Sequence, residues 1–127
     1  MRIAILTAAL AAAALAPAAA SAAGASPVRT ASEAQTHRIA VEIRQPRWSC
    51  FGALLQRRGP FGALRLLPGG GCPELPYAIL VREDPRSGWQ ELRRFETRAG
   101  ACRARPRGLP AATRRALLGC AAPRGGR

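Results

Sequence analysis

The chain contains no lysine and no asparagine, and it has one histidine and one tyrosine in 127 residues. With His37 as the sole histidine, the usual pairing of a nucleophile with an imidazole base has a single candidate, placed beside a segment of small polar residues. Aromatic residues make up 5% of the chain, and many apolar positions are alanine, so the hydrophobic area available to a core is small. Acidic residues are also few, seven against twenty basic ones. They are Glu33, Glu42, Glu74, Glu83, Asp84, Glu91 and Glu96, and no spacing among them selects the carboxylate pair of a glycosidase. Glu83-Asp84 lies in a turn, where acids are ordinary. Nothing assigns the acid, base and nucleophile of a hydrolase or nuclease, so the sequence reads as a protein without catalytic activity and without a cofactor.

What is present begins with Met1-Arg2, an apolar run from Ile3 to Ala16 and a tract of small residues from Pro17 to Ala25. This is the layout of a secretory signal peptide covering residues 1–22, with cleavage after Ala22; sites after Ala20 or Ala23 fit almost as well. The apolar run is shorter than the roughly 20 residues that cross a bilayer. A periplasmic or secreted protein of about 105 residues follows, one domain by length. Residues 23–37 have no sustained period and read as a disordered leader to a domain at 38–120, with residues 121–127 as a disordered tail.

Export gives the four cysteines a meaning. An even number in an oxidising compartment implies two disulfides, and Cys50, Cys72, Cys102 and Cys120 allow three pairings. Cys102 with Cys120 and Cys50 with Cys72 is favoured, because the first pair brackets one short helix and the second one apolar segment. Each bridge closes a loop of about 20 residues, on the order of 3 kcal/mol in the chain-entropy model. The spacing is too wide for the paired C-x2-C knuckles of a zinc site.

Along the domain, Arg38 to Arg44 alternates, with Ile39, Val41 and Ile43 on one face, and reads as a half-buried strand ended by Pro46. Between Trp48 and Pro68 a hairpin, Cys50 to Gln56 and Phe61 to Leu66 around Arg57-Arg58-Gly59-Pro60, competes with a helix capped by Ser49; Gly52 and the neighbouring strands favour the hairpin. Pro68 to Pro73 is a loop. Its glycines lack the following Lys-Ser or Lys-Thr and the immediate helix that a phosphate loop uses. Tyr77 to Arg82 is apolar on both faces and reads as an interior strand, with Tyr77, Ile79 and Val81 on one side. A turn at Glu83 to Gly88 leads to the strand Trp89 to Phe95, where the mismatched parity of Trp89 and Leu92 indicates a bulge. Trp89 is read as a core anchor. Pro110 and Gly119 delimit a short helix with Leu109, Ala112, Thr113, Ala116, Leu117 and Cys120 inward and Arg114 and Arg115 outward. The fold class is therefore α+β: a small antiparallel sheet of four or five strands with a short C-terminal helix, stapled by disulfides.

The order Gly88-Trp89, Cys102, Leu109-Pro110, Leu117, Gly119-Cys120, preceded by Tyr77-Ala78-Ile79-Leu80-Val81, resembles small exported proteins of GC-rich bacteria that carry a tryptophan-led strand, a cysteine, a proline-initiated helix and a terminal cysteine. The resemblance implies a secreted or periplasmic α+β domain with a C-terminal disulfide, and it implies no activity.

All twenty basic residues are arginine, and the formal net charge is +13, or +12 once Arg2 leaves with the signal. Such a composition also reflects a GC-rich genome, yet the charge acts whatever its origin. Arg57, Arg58, Arg65, Arg93, Arg94, Arg114 and Arg115 are candidate anion-binding residues, with Arg103, Arg105 and Arg107 nearby in the chain. Their forked guanidinium groups suit lipid phosphate or acidic polysaccharide of the envelope. No aromatic residues interleave with them as a single-strand platform requires, which ranks nucleic acid lower. The other partner class is an exported protein, bound or inhibited through the loops Arg57 to Pro60, Pro68 to Pro76 or Arg103 to Pro110.

Overall fold

Apolar residues on both faces place β4 (Ala78–Asp84) in the middle of the structure: Ala78, Ile79, Leu80 and Val81 are all fully buried. The computed structural model describes residues 26–72 and 74–121. Within them, β1 (Val28–Thr30), β2 (Phe51–Gln56), β3 (Phe61–Leu66), β4 and β5 (Gly88–Phe95) form one antiparallel sheet in sequence order. The expected hairpin is formed by β2 and β3 around residues 57–60, with Phe51 opposite Leu66 and Leu55 opposite Gly62. A Cβ on Gly62 would stand 2.9 Å from Leu55 Cδ2 and 3.4 Å from the Trp89 ring, so the missing side chain makes room for that indole. Trp89 is buried, as a core anchor should be.

Helices cover both faces of the sheet. Helix α1 (Glu33–Glu42) packs over Phe51, Ala53, Leu55, Leu64, Ile79, Val81 and Trp89. Helices α2 (Arg98–Arg103) and α3 (Ala111–Leu118) cover the opposite cluster of Val28, Phe61, Ala63, Ala78, Leu80 and Phe95. The Cys50–Cys72 bridge ties the start of β2 to the loop after β3, and the Cys102–Cys120 bridge ties α2 to the end of α3. Both are the favoured pairings, and no thiol is free among the described residues.

Four expectations are corrected, among them the face of Tyr77, expected to be shared with Ile79 and Val81. Residues 38–44 are helical, not extended, because Thr36, Ile39 and Ala40 point at the sheet while Val41 is 60% exposed. That is the i, i+3, i+4 face of a helix, and the alternation of Ile39, Val41 and Ile43 is incidental. The helix is opened by a capping box: the Gln35 amide donates to Ser32 Oγ and the Ser32 amide to Gln35 Oε1, both at 3.1 Å. Second, the segment read as a disordered leader to residue 37 contains β1, paired with Leu54 to Gln56, and the first turn of α1. The ordered domain therefore starts before residue 38. The signal peptide assigned to 1–22 and the tail from 122 lie outside the described residues.

Third, α3 is rotated from the expected setting. Its buried residues are Thr113, Arg114, Leu117 and Leu118, while Ala112 is exposed. The Tyr77 hydroxyl donates to the Leu118 carbonyl at 2.7 Å and so sets the last turn. Tyr77 itself precedes β4 and packs toward α3, on the face opposite Ile79 and Val81. Gly119 ends the helix at φ 71°, with the Cys120 amide donating to the Arg115 carbonyl at 2.8 Å. In β5, Val81 pairs with Glu91 and Leu80 with Arg93, so Leu92 is the extra residue of the bulge.

Candidate anion site

Between α2 and α3 lies a cavity of about 440 Å³ lined by four arginines, Arg98, Arg105, Arg114 and Arg115, together with the bridged Cys102 and Cys120. Helical spacing begins the arrangement: Arg98, Cys102 and Arg105 are i, i+4 and i+7, which places them along one side of α2 and its exit. Thr97 opens α2 by accepting from the Gly100 amide at 3.0 Å. The disulfide then draws that side against Arg114 and Arg115 of α3.

Main-chain carbonyls hold the guanidinium groups of Arg98, Arg105 and Arg114. Arg98 Nε donates to the Gly119 carbonyl at 2.9 Å, where the end of α3 leaves unpaired acceptors. Arg105 Nη1 donates to the carbonyls of Cys102, Ala104 and Arg103 at 3.0–3.2 Å. Arg114 Nη1 donates to the same Cys102 carbonyl at 3.2 Å. Helix C-termini carry partial negative charge, so they suit arginine, but they do not cancel a full positive charge. Among the described residues, no carboxylate lines the cavity.

Arg114 shows the consequence. It is 7% exposed, and its guanidinium is held below its ordinary pKa, first by burial and then by the charges of Arg105 and Arg115. Arginine keeps its proton at neutral pH regardless. The cavity therefore concentrates positive charge in a partly dry setting, with donors already positioned.

The other candidate arginines are dispersed. Arg94 is occupied: its Nε and Nη2 donate to both Glu91 oxygens at 2.8 Å, and Nη2 also donates to Gln45. That hydrogen bonding to Glu91 raises its pKa. The bulge makes the pair, because an i, i+3 separation in a regular strand would put the two side chains on opposite faces. Arg93 lies 5.1 Å over the Phe95 ring, and Arg65 lies 5.8 Å from the Tyr77 ring near Gly119. Arg57 and Arg58 are exposed at the β2–β3 turn. Arg98 and Arg105 were not among the primary candidates, although their spacing around Cys102 carried the signal. His37 is exposed on α1, on the other side of the sheet, with its ring 4.7 Å from that of Trp48.

Among the described residues, no helix is long and apolar enough to cross a membrane. No family model matches the chain, and neither a curated protein nor a solved structure is similar to it.

Proposed function

We propose that this is an exported, non-catalytic protein of the cell envelope that binds an oxyanion, of phosphate type, in the arginine cavity between α2 and α3. The carrying observation is that Arg98, Arg105, Arg114 and Arg115 line one cavity in which, among the described residues, no carboxylate neutralises them. An anion entering it meets Arg98, Arg105 and Arg114 already anchored to backbone carbonyls, so little side-chain entropy of these three is lost on binding. It also relieves the repulsion that Arg105 and Arg115 exert on the buried Arg114. Charge-assisted bonds from a guanidinium fork to phosphate are short and strong. Among the described residues, neither a general base nor a nucleophile lines the cavity beside them, which favours binding over turnover. Two disulfides are in keeping with an oxidising compartment outside the cytoplasm.

Calorimetric titration with inorganic pyrophosphate at low ionic strength tests this reading. The wild-type protein binds, and the folded double variant Arg105→Gln/Arg115→Gln binds at least ~10-fold more weakly, as expected for two lost charge-assisted contacts. Absence of binding at low salt, or equal binding by the variant, would overturn it.

A further inference from the structure

A second arginine cavity flanks α3. It measures about 330 Å³ and is lined by Ser26, Pro27, Gln56, Arg57, Arg58 and Thr113. Thr113 and Arg114 are consecutive in α3, yet they line different cavities. One opens toward α2 and the other toward the segment before β1 and the β2–β3 turn. Arg57 and Arg58 make no ion pair among the described residues. The first turn of α3 carries Ala111 and Ala112, both exposed and both small.

The separation decides what could occupy both. An α-helix with its side chains is about 10–12 Å across, more than a single oxyanion spans. A linear chain of linked phosphates can cross α3 with one part in each cavity. Among the described residues no aromatic ring lines either cavity, so those residues offer no stacking surface for bases. The arginines contact phosphate equally well wherever it falls along a repeating chain.

We infer that the two cavities are the halves of one site for a linear, base-free phosphate polymer that crosses α3. This rests on the oxyanion reading of the α2–α3 cavity and extends it from a single group to a chain.

The test compares pyrophosphate, long-chain inorganic polyphosphate and a single-stranded oligonucleotide on four proteins. These are the wild type, Arg57→Gln/Arg58→Gln, Arg105→Gln/Arg115→Gln, and Arg44→Gln/Arg86→Gln, which removes the same charge elsewhere. Polyphosphate is expected to bind at least ~10-fold tighter than pyrophosphate, with a log-affinity against log-salt slope steeper by about 0.7 for each added phosphate contact. The Arg57→Gln/Arg58→Gln protein loses that advantage but keeps pyrophosphate affinity, and the Arg44→Gln/Arg86→Gln protein keeps both. If Arg57→Gln/Arg58→Gln binds polyphosphate like the wild type, or loses no more affinity for it than Arg44→Gln/Arg86→Gln does, the chain-spanning site is wrong while the single-anion site stands. If Arg105→Gln/Arg115→Gln binds pyrophosphate as tightly as the wild type does, both readings fall. Tighter binding of the oligonucleotide than of polyphosphate overturns the base-free polymer in favour of a nucleic acid.

Discussion

The Tyr77 hydroxyl donates to the carbonyl oxygen of Leu118 at 2.7 Å, joining the residue before the central strand to the last turn of α3. It is the only tyrosine in the chain. Together with Arg98 on the Gly119 carbonyl, it satisfies acceptors that the end of the helix leaves free. Tyr77→Phe keeps the ring and removes the donor, and about 1–2 kcal/mol of stability should be lost. Urea unfolding would show it as a lowered midpoint with an unchanged m-value; no change in the midpoint would mean that water replaces the bond.

The first turn of α1 is held by the reciprocal bonds of Ser32 and Gln35. Ser32→Ala is expected to destabilise the protein by about 1 kcal/mol. Amide hydrogen exchange should quicken first in residues 33–36. An unaffected exchange pattern would show that packing of Ile39 and Ala40 alone sustains the helix.

Glu42 joins α1 to the edge strand. Its Oε1 accepts from the Trp89 amide at 2.8 Å and its Oε2 from Arg38 Nε at 2.9 Å. These two bonds, the Trp89 amide first, hold its carboxyl below the ordinary glutamate value of 4.5. A depressed folded pKa stabilises the protein above the unfolded value, and that contribution is lost as pH falls through the lower folded value. Glu42→Gln should therefore be less stable than wild type at pH 7, with the difference shrinking below pH 4.5. Denaturation midpoints at a series of pH values check this; a gap that stays constant into acid would show that the charge plays no part.

The Cys102–Cys120 bridge has a structural and a functional consequence. It closes a separation of 18 residues between α2 and α3, worth roughly 3 kcal/mol by chain entropy. Cys102→Ser/Cys120→Ser should unfold more readily and, where still folded, bind pyrophosphate more weakly, because Arg98 and Arg105 are no longer drawn against Arg114 and Arg115. Full affinity in the folded variant would show that helix packing alone assembles the cavity.

Arg114→Met separates stability from binding. The Cys102 carbonyl keeps its bond from Arg105, so no acceptor is orphaned, while a buried positive charge facing Arg105 and Arg115 disappears. Replacing a buried charge by an apolar side chain of similar length is often neutral or stabilising. The variant should match or exceed the wild type in thermal stability without ligand and gain less from added phosphate, since stabilisation by a ligand follows its affinity. A large loss of stability without ligand would make Arg114 a structural residue only.

Much of this molecule was legible in the order of its residues. The burial of Ala78 to Val81 on both faces of β4, though not the face of Tyr77 before it, the hairpin around Arg57-Arg58-Gly59-Pro60, the bulge near Leu92, the close of α3 at Gly119 and the pairing of the four cysteines all follow from local signals. Turn residues, short-range alternation and loop length act within a few residues of where they are read. The Ser32-x-x-Gln35 box was equally local, but the alternation of Ile39, Val41 and Ile43 obscured it. What the tertiary structure decided was less local. β1 has three residues and no period of its own, and it exists as a strand because β2 offers it a partner. α1 took its setting from the groove over Trp89 and Gly62. α3 is an eight-residue helix, too short to be stable alone, and its rotation came from Tyr77 and the Cys102–Cys120 bridge. That rotation buried Arg114 and brought four arginines from two helices around one cavity. Periodicity says which residues of an element share a face; only contacts between elements distant in the chain say what that face meets.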